Sequence, residues 1–98
     1  MPMHSPAHPG AMLREAMGTK FTIKALADHI GVTRPYLSNL VNGKLAITPR
    51  LALLLGDAFP DLDAEYWMRL QATYDLAELR REKSTRRVKP MRALATAQ

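Results

Sequence analysis

Apolar residues recur at helical spacing in two short runs of this chain: Ile23, Leu26, Ala27 and Ile30, then Leu37, Leu40 and Val41. Between them stands Gly31-Val32-Thr33. Thr22 and Thr33 precede the two runs, where a side-chain oxygen can accept the orphan N–H groups of a helix's first turn. Gly31 closes the first run, where a left-handed residue is cheap. The pattern predicts helices over 23–30 and 34–42. So short a break forces them to cross steeply, and the small Ala27 sits where a larger side chain would hold them apart. Residues 23–42 therefore read as a helix-turn-helix, a motif whose second helix enters the DNA major groove.

The flanking pattern adds three more helices. Residues 1–8 read as a flexible arm. Pro9-Gly10 opens a helix through about Met17, with Leu13, Ala16 and Met17 facing inward. Asn42-Gly43 ends the central pair, and residues 44–47 form a loop. Thr48-Pro49 is a Thr cap followed by Pro at the first helical position, where its missing N–H costs nothing. The segment LALLLGDAF that follows is apolar on nearly every side, which predicts a buried helix and not an amphipathic one. Pro60 stops it. Asp63 caps a last helix to about Lys83, about 30 Å long. Trp67, Leu70, Tyr74 and Ala77 form one stripe on it, and Met68, Ala72, Leu76 and Leu79 lie roughly opposite. A small domain offers this helix one packing face. The second stripe predicts a partner helix, most simply from a second copy, with helix 64–82 as the dimerisation element. The competing reading is a set of ordinary exposed Met, Ala and Leu side chains. The fold class is all-α, with residues 9–82 as the five-helix domain.

Ninety-eight residues make one small domain, near the size where a single core is only just sufficient. There is no cysteine, and no apolar run approaches the roughly 20 residues needed to span a bilayer. The N-terminus lacks a signal-peptide layout. A soluble, cytoplasmic protein is expected, with no membrane partner. The net charge of +5 is unevenly placed. Residues 20–50 hold Lys20, Lys24, Arg34, Lys44 and Arg50 against Asp28, a surplus of +4. Residues 51–79 hold Arg69 against Asp57, Asp61, Asp63, Glu65, Asp75 and Glu78, a surplus of −5. Residues 80–98 carry seven cations against Glu82, a surplus of +6. The helix-turn-helix is thus the basic part of the folded region, as binding to phosphate requires. The tail 83–98 has cations, a proline and little that could form a core, which predicts disorder or order only with a partner. Added DNA contact, an acidic patch on a partner, and plain solubility all remain open for it.

Catalytic readings fail on the residues present. His4 and His8 have the spacing of a helical metal pair, but Pro6 and Pro9 argue against a helix there. Asp28 and His29 are sequence neighbours on opposite helix faces, which makes no dyad. Asp61 and Asp63 read as a loop acid and a helix cap. No Gly-rich phosphate loop is present. Neither an enzyme, a cofactor nor a metal is predicted.

Double-stranded DNA is the predicted partner, and the residues that face it follow from helix geometry. Those at the start of the second helix and one turn on, Thr33, Arg34, Tyr36, Ser38, Asn39 and Asn42, form the base-contacting set. Arg34 fits a two-pronged bond to guanine, or a phosphate contact alone; Asn39 fits the same two-pronged geometry on adenine. Tyr36 suits a thymine methyl or a phosphate. For Ser38, packing on the helix surface competes with readout. Thr22 and Lys24 at one helix start, and Lys44, Thr48 and Arg50 around another, form the phosphate-contacting set, since helix N-termini offer unpaired N–H groups and a positive dipole end. Lys44 also reads as a solvated loop lysine.

Several of these residues fall into a recognisable order. His8-Pro9-Gly10 with Leu13-Arg14-Glu15, the stretch Leu40-Val41-Asn42-Gly43-Lys44, then Ala46-Ile47-Thr48-Pro49, and finally Glu65-Tyr66-Trp67 with Leu70-Gln71-Ala72 and Tyr74-Asp75-Leu76 span about seventy residues. In these the chain resembles the HigA-type antitoxins, a branch of the lambda-repressor-like (Xre-type) helix-turn-helix regulators. The resemblance implies a five-helix homodimer that binds a palindromic operator and represses its own operon. It also implies neutralisation of a HigB-type toxin, a ribonuclease that cuts mRNA on the ribosome. Ile23 departs from the pattern, standing where related proteins often carry a Gln that contacts the DNA backbone. The tail after Glu82 lies outside the family signature. Two other readings stand beside this one: a free-standing Xre-type regulator without a toxin, and a protein-binding inhibitor acting through residues 57–65 and the outer stripe of the last helix.

Overall fold

The computed structural model describes residues 6–82 and 88–92. Its helices are α1 (Pro9–Met17), α2 (Ile23–Ile30), α3 (Arg34–Val41), α4 (Pro49–Ala58) and α5 (Ala64–Arg81). Each begins where a side chain satisfies its first-turn N–H groups. Thr22 accepts from the Ala25 N–H at 3.0 Å, Thr33 from Tyr36 at 3.2 Å, Thr48 from Leu51 at 3.2 Å and Asp63 from Tyr66 at 2.8 Å. Such caps are each worth about 0.5–2 kcal/mol. The cap of α1 is His8, counted with the arm on sequence grounds: its Nδ1 accepts from the Gly10 N–H at 2.9 Å. Residues 1–5 of the arm and most of the tail lie outside the described residues. Positions 88–92 are exposed and form no helix or strand.

The core is built by Leu13, Leu37, Leu40, Leu55 and Trp67, all fully buried, with Leu26, Ala27, Val41, Ile47 and Leu51 around them. α5 packs along α4 and also against α1; α1 meets α3; and α2 packs on α3 and α4. Gly31 adopts the left-handed conformation at φ 84°, and the N–H groups of Gly31 and Val32 both bond to the Ala27 carbonyl. That closes α2 abruptly and leaves Ala27 buried between α2 and α3, as its size required. A second close approach sets α1. A Cβ on Gly10 would overlap the Leu40 carbonyl oxygen and stand 2.9 Å from that of Val41. Only glycine lets the first turn of α1 rest against the end of α3.

One expectation is corrected. α4 is not buried on all sides: Leu51, Ala52 and Leu55 are, but Leu53 is 64 % exposed, Leu54 is half-buried, and Arg50 and Asp57 face out. With α5 against one side and α2 against another, a third side remains open, whatever the side chains on it. The inward stripe of α5 also contains a polar residue. Beside Trp67, Gln71 is buried at 5 % exposure, while Leu70, Tyr74 and Ala77 are half-buried.

Candidate nucleic-acid interface

The buried side of α3 consists of Leu37, Leu40 and Val41, which leaves the opposite side polar. Arg34, Pro35 and Asn39 are exposed along it, Thr33 and Asn42 are exposed at its two ends, and Tyr36 and Ser38 are half-buried at its margins. Helical spacing of 100° per residue puts Pro35, Asn39 and Asn42 near the middle of this face and Ser38 and Tyr36 on its flanks, with Arg34 exposed at the first turn. Pro35 at the centre was not anticipated as a contact residue. No described part of the chain covers the face.

The start of α3 lies beside the start of α4. Thr33 and Tyr36 share a surface cavity of about 300 Å³ with Thr48 and Arg50, floored by Val32, Leu51 and Leu54. Two Thr-capped helix N-termini and a guanidinium therefore border one recess. Helix N-termini carry a partial positive charge, so this rim favours anionic groups. Thr22 and Lys24 open α2 and do not line the recess. Lys24 pairs with Asp28 at 2.9 Å with both side chains exposed. An exposed pair one turn apart is worth only about 0.3–0.5 kcal/mol, so a phosphate can displace it. Lys44 is exposed in the loop after α3. Asn42 stands apart from the recess, at the far end of α3. There its Oδ1 accepts from the Arg14 guanidinium at 3.1 Å, which leaves its amide N–H groups as donors.

Two interactions position these residues. Gln71 Oε1 accepts the Ile47 N–H at 2.7 Å, and Gln71 Nε2 donates to Asp75 at 2.9 Å. The loop carrying Lys44 and the Thr48 cap is thereby tied to the middle of α5. His8 packs edge-on to Tyr74, with ring centroids 4.9 Å apart, and lies beside Gly43, so one imidazole touches α5 and the end of α3 while capping α1. The spacing of Gln71 four residues after Trp67 was a legible signal of inward placement. Nothing local signalled the Arg14–Asn42 bond.

On the other side of α5, Ala72, Leu76 and Leu79 are exposed and Met68 is half-buried; Leu76 is 47 % exposed. The open side of α4 joins them. A groove of about 600 Å³ runs between the two helices past Ala52, Leu53, Met68 and Ala72, with Glu65 and Arg69 also lining it. Leu53 was missed as part of this surface because α4 was read as buried. Among the described residues there is no cluster of His, Cys, Asp or Glu suited to a metal ion, and no helix long and apolar enough to cross a membrane.

Comparison with known proteins agrees with this geometry. The helix-turn-helix family HTH_3 matches residues 12–67. Antitoxin HigA-1 of Vibrio cholerae is 36 % identical over 95 residues, covering 88 % of this chain and 84 % of that protein. Virulence-associated protein A of Dichelobacter nodosus is 40 % identical over 81 residues, covering 79 % and 78 %. The Pseudomonas aeruginosa antitoxin HigA, solved with the higBA promoter, superposes with a TM-score of 0.69 at 36 % identity, over 74 % of this chain and 80 % of that one.

Proposed function

The chain belongs to the HigA antitoxins of the helix-turn-helix family, and from that premise we propose that it represses its own operon by binding the operator and neutralises a HigB-type, mRNA-cleaving toxin. The observation that carries the DNA half of this reading is the uncovered polar face of α3, set beside the capped start of α4. In the major groove, Arg34 and Asn39 are the base readers, each contributing about 1–3 kcal/mol of discrimination, with Thr33, Tyr36 and Ser38 beside them. Pro35 offers an apolar contact for a thymine methyl. Asn42, its carbonyl held by Arg14, donates its amide to the operator. Thr22, Lys24, Lys44, Thr48 and Arg50 hold phosphates and fix the register.

A palindromic operator calls for two recognition helices. We assign the dimer contact to Met68, Ala72, Leu76 and Leu79 of α5, extended by Leu53 of α4. This apolar surface is continuous and lies apart from the α3 face. Half-sites about 34 Å apart, one helical turn, are expected. The protein acts in the cytoplasm, where its operator and the toxin's mRNA targets are found. A mobility-shift assay on the DNA upstream of its own operon, with the chain alone and with the toxin, tests the proposal. A shift that survives excess unrelated DNA and weakens steeply with salt is expected. Binding no tighter than to unrelated DNA would overturn it.

A further inference from the structure

Phe21 is 49 % exposed and has no place in the surfaces described so far. Among the other large apolar side chains that the described residues leave in solvent, Leu53, Leu76 and Leu79 belong to the proposed dimer face, and Val88 and Met91 to the tail. Phe21 instead stands edge-on to Phe59, with ring centroids 6.4 Å apart. The two rings wall a cavity of about 250 Å³ completed by Ala25, Leu26, His29 and Ala58. A second recess of about 180 Å³ adjoins it, sharing His29 and Ala58 and bordered by Asp57. These volumes fall below the roughly 300–1,000 Å³ of pockets that enclose small molecules, and they suit inserted side chains.

The surroundings are acidic. Residues 57–65 contain Asp57, Asp61, Asp63 and Glu65 with no Lys or Arg among them, and all four are exposed. Asp63 is committed to capping α5 and Glu65 lines the groove between α4 and α5, which leaves Asp57 and Asp61. Lys20 is the cation nearest in sequence to Phe21. An apolar socket with the Asp57 carboxylate at its adjoining recess, and Asp61 two residues beyond Phe59, is complementary to a basic protein that inserts an apolar side chain and surrounds it with Lys or Arg.

We propose that the Phe21–Phe59 socket and the carboxylates of Asp57 and Asp61 form the docking surface for a basic partner protein, the toxin of the reading above. This inference rests on that reading and adds where the toxin sits. The socket lies toward the C-terminal end of α4, about 15 Å along the helix from the Thr48 end that faces the operator, while on α2 the phosphate contacts Thr22 and Lys24 adjoin Phe21 and Ala25.

The test is calorimetric titration of the full chain with the HigB-type protein encoded beside it, using Phe21→Ala and the double variant Asp57→Asn/Asp61→Asn. Both sites are at the surface, and thermal melts check that each variant folds. Each variant should lower toxin affinity about tenfold or more, and the double variant should also flatten its salt dependence. Operator affinity should stay within about threefold in the Asp57→Asn/Asp61→Asn variant. Wild-type toxin affinity in both folded variants would overturn the assignment while leaving the antitoxin function intact. No binding by the wild-type chain would overturn both. A variant that instead shifts the molecular mass in sedimentation would assign the socket to a second copy, and gain of toxin binding on removing residues 83–98 would assign it to the chain's own tail; either result overturns the proposal.

Discussion

Gln71→Met separates a hydrogen bond from the space it occupies. The substitution keeps the length of the side chain but removes the acceptor for the Ile47 N–H and the donor to Asp75. Gln71 is 5 % exposed, so water cannot replace the lost acceptor, and an unsatisfied buried N–H costs about 1–3 kcal/mol. The bond to exposed Asp75 adds about 0.5–1 kcal/mol. Burial of the Met thioether returns about 1 kcal/mol, for a net loss of about 2 kcal/mol. In a domain of this size each 1 kcal/mol moves Tm by roughly 4–8 °C, so a fall of about 8–16 °C is expected. Circular dichroism melts measure it, with protomer concentration held fixed because association raises Tm by mass action. Asp75→Ala alone should cost no more than about 1 kcal/mol. Operator affinity of Gln71→Met should also fall below the melting range, since Ile47 lies between Lys44 and Thr48. A Tm within about 2 °C of wild type would refute the view that this bond anchors the loop.

Other outcomes follow from the same geometry. Gly10→Ala forces a methyl into the Leu40 and Val41 carbonyls and should lower stability by about 1–3 kcal/mol in urea titrations; an unchanged midpoint would show that α1 can shift freely. Arg50→Ala should reduce the slope of log affinity against log salt by about one unit, with equal effect on matched and mismatched operators. Asn39→Ala should instead relax base preference at a single operator position, read by competition with singly substituted duplexes. Leu76→Asp should yield a monomer in sedimentation and weaken binding to the full palindrome far more than to a half-site; a dimer that persists would move the interface elsewhere.

The starts of α2, α3, α4 and α5 were legible because an N-cap is a local device: Thr22, Thr33, Thr48 and Asp63 each bond to an N–H three residues on, and the spacing alone reveals it. The polar face of α3 was legible for the same reason, since buried Leu37, Leu40 and Val41 dictate which side remains outside. Leu53 was misplaced because composition reports how apolar a helix is and not how many neighbours surround it. His8 was counted with a flexible arm because its ring is held by Tyr74 and Gly43, which no short window of sequence contains, although its cap on Gly10 is local.

The sequence by itself therefore determined the helices, their order, and the polar side that the central motif turns outward, since periodicity and capping act within a few residues of the chain. The tertiary structure alone decided that Gln71 locks the loop before α4, that Arg14 engages Asn42, that Leu53 joins the apolar face of α5, and that Phe21 and Phe59 frame a socket beside Asp57. Those pairings join residues far apart in the chain, and only the packing of one helix against another brings them within reach.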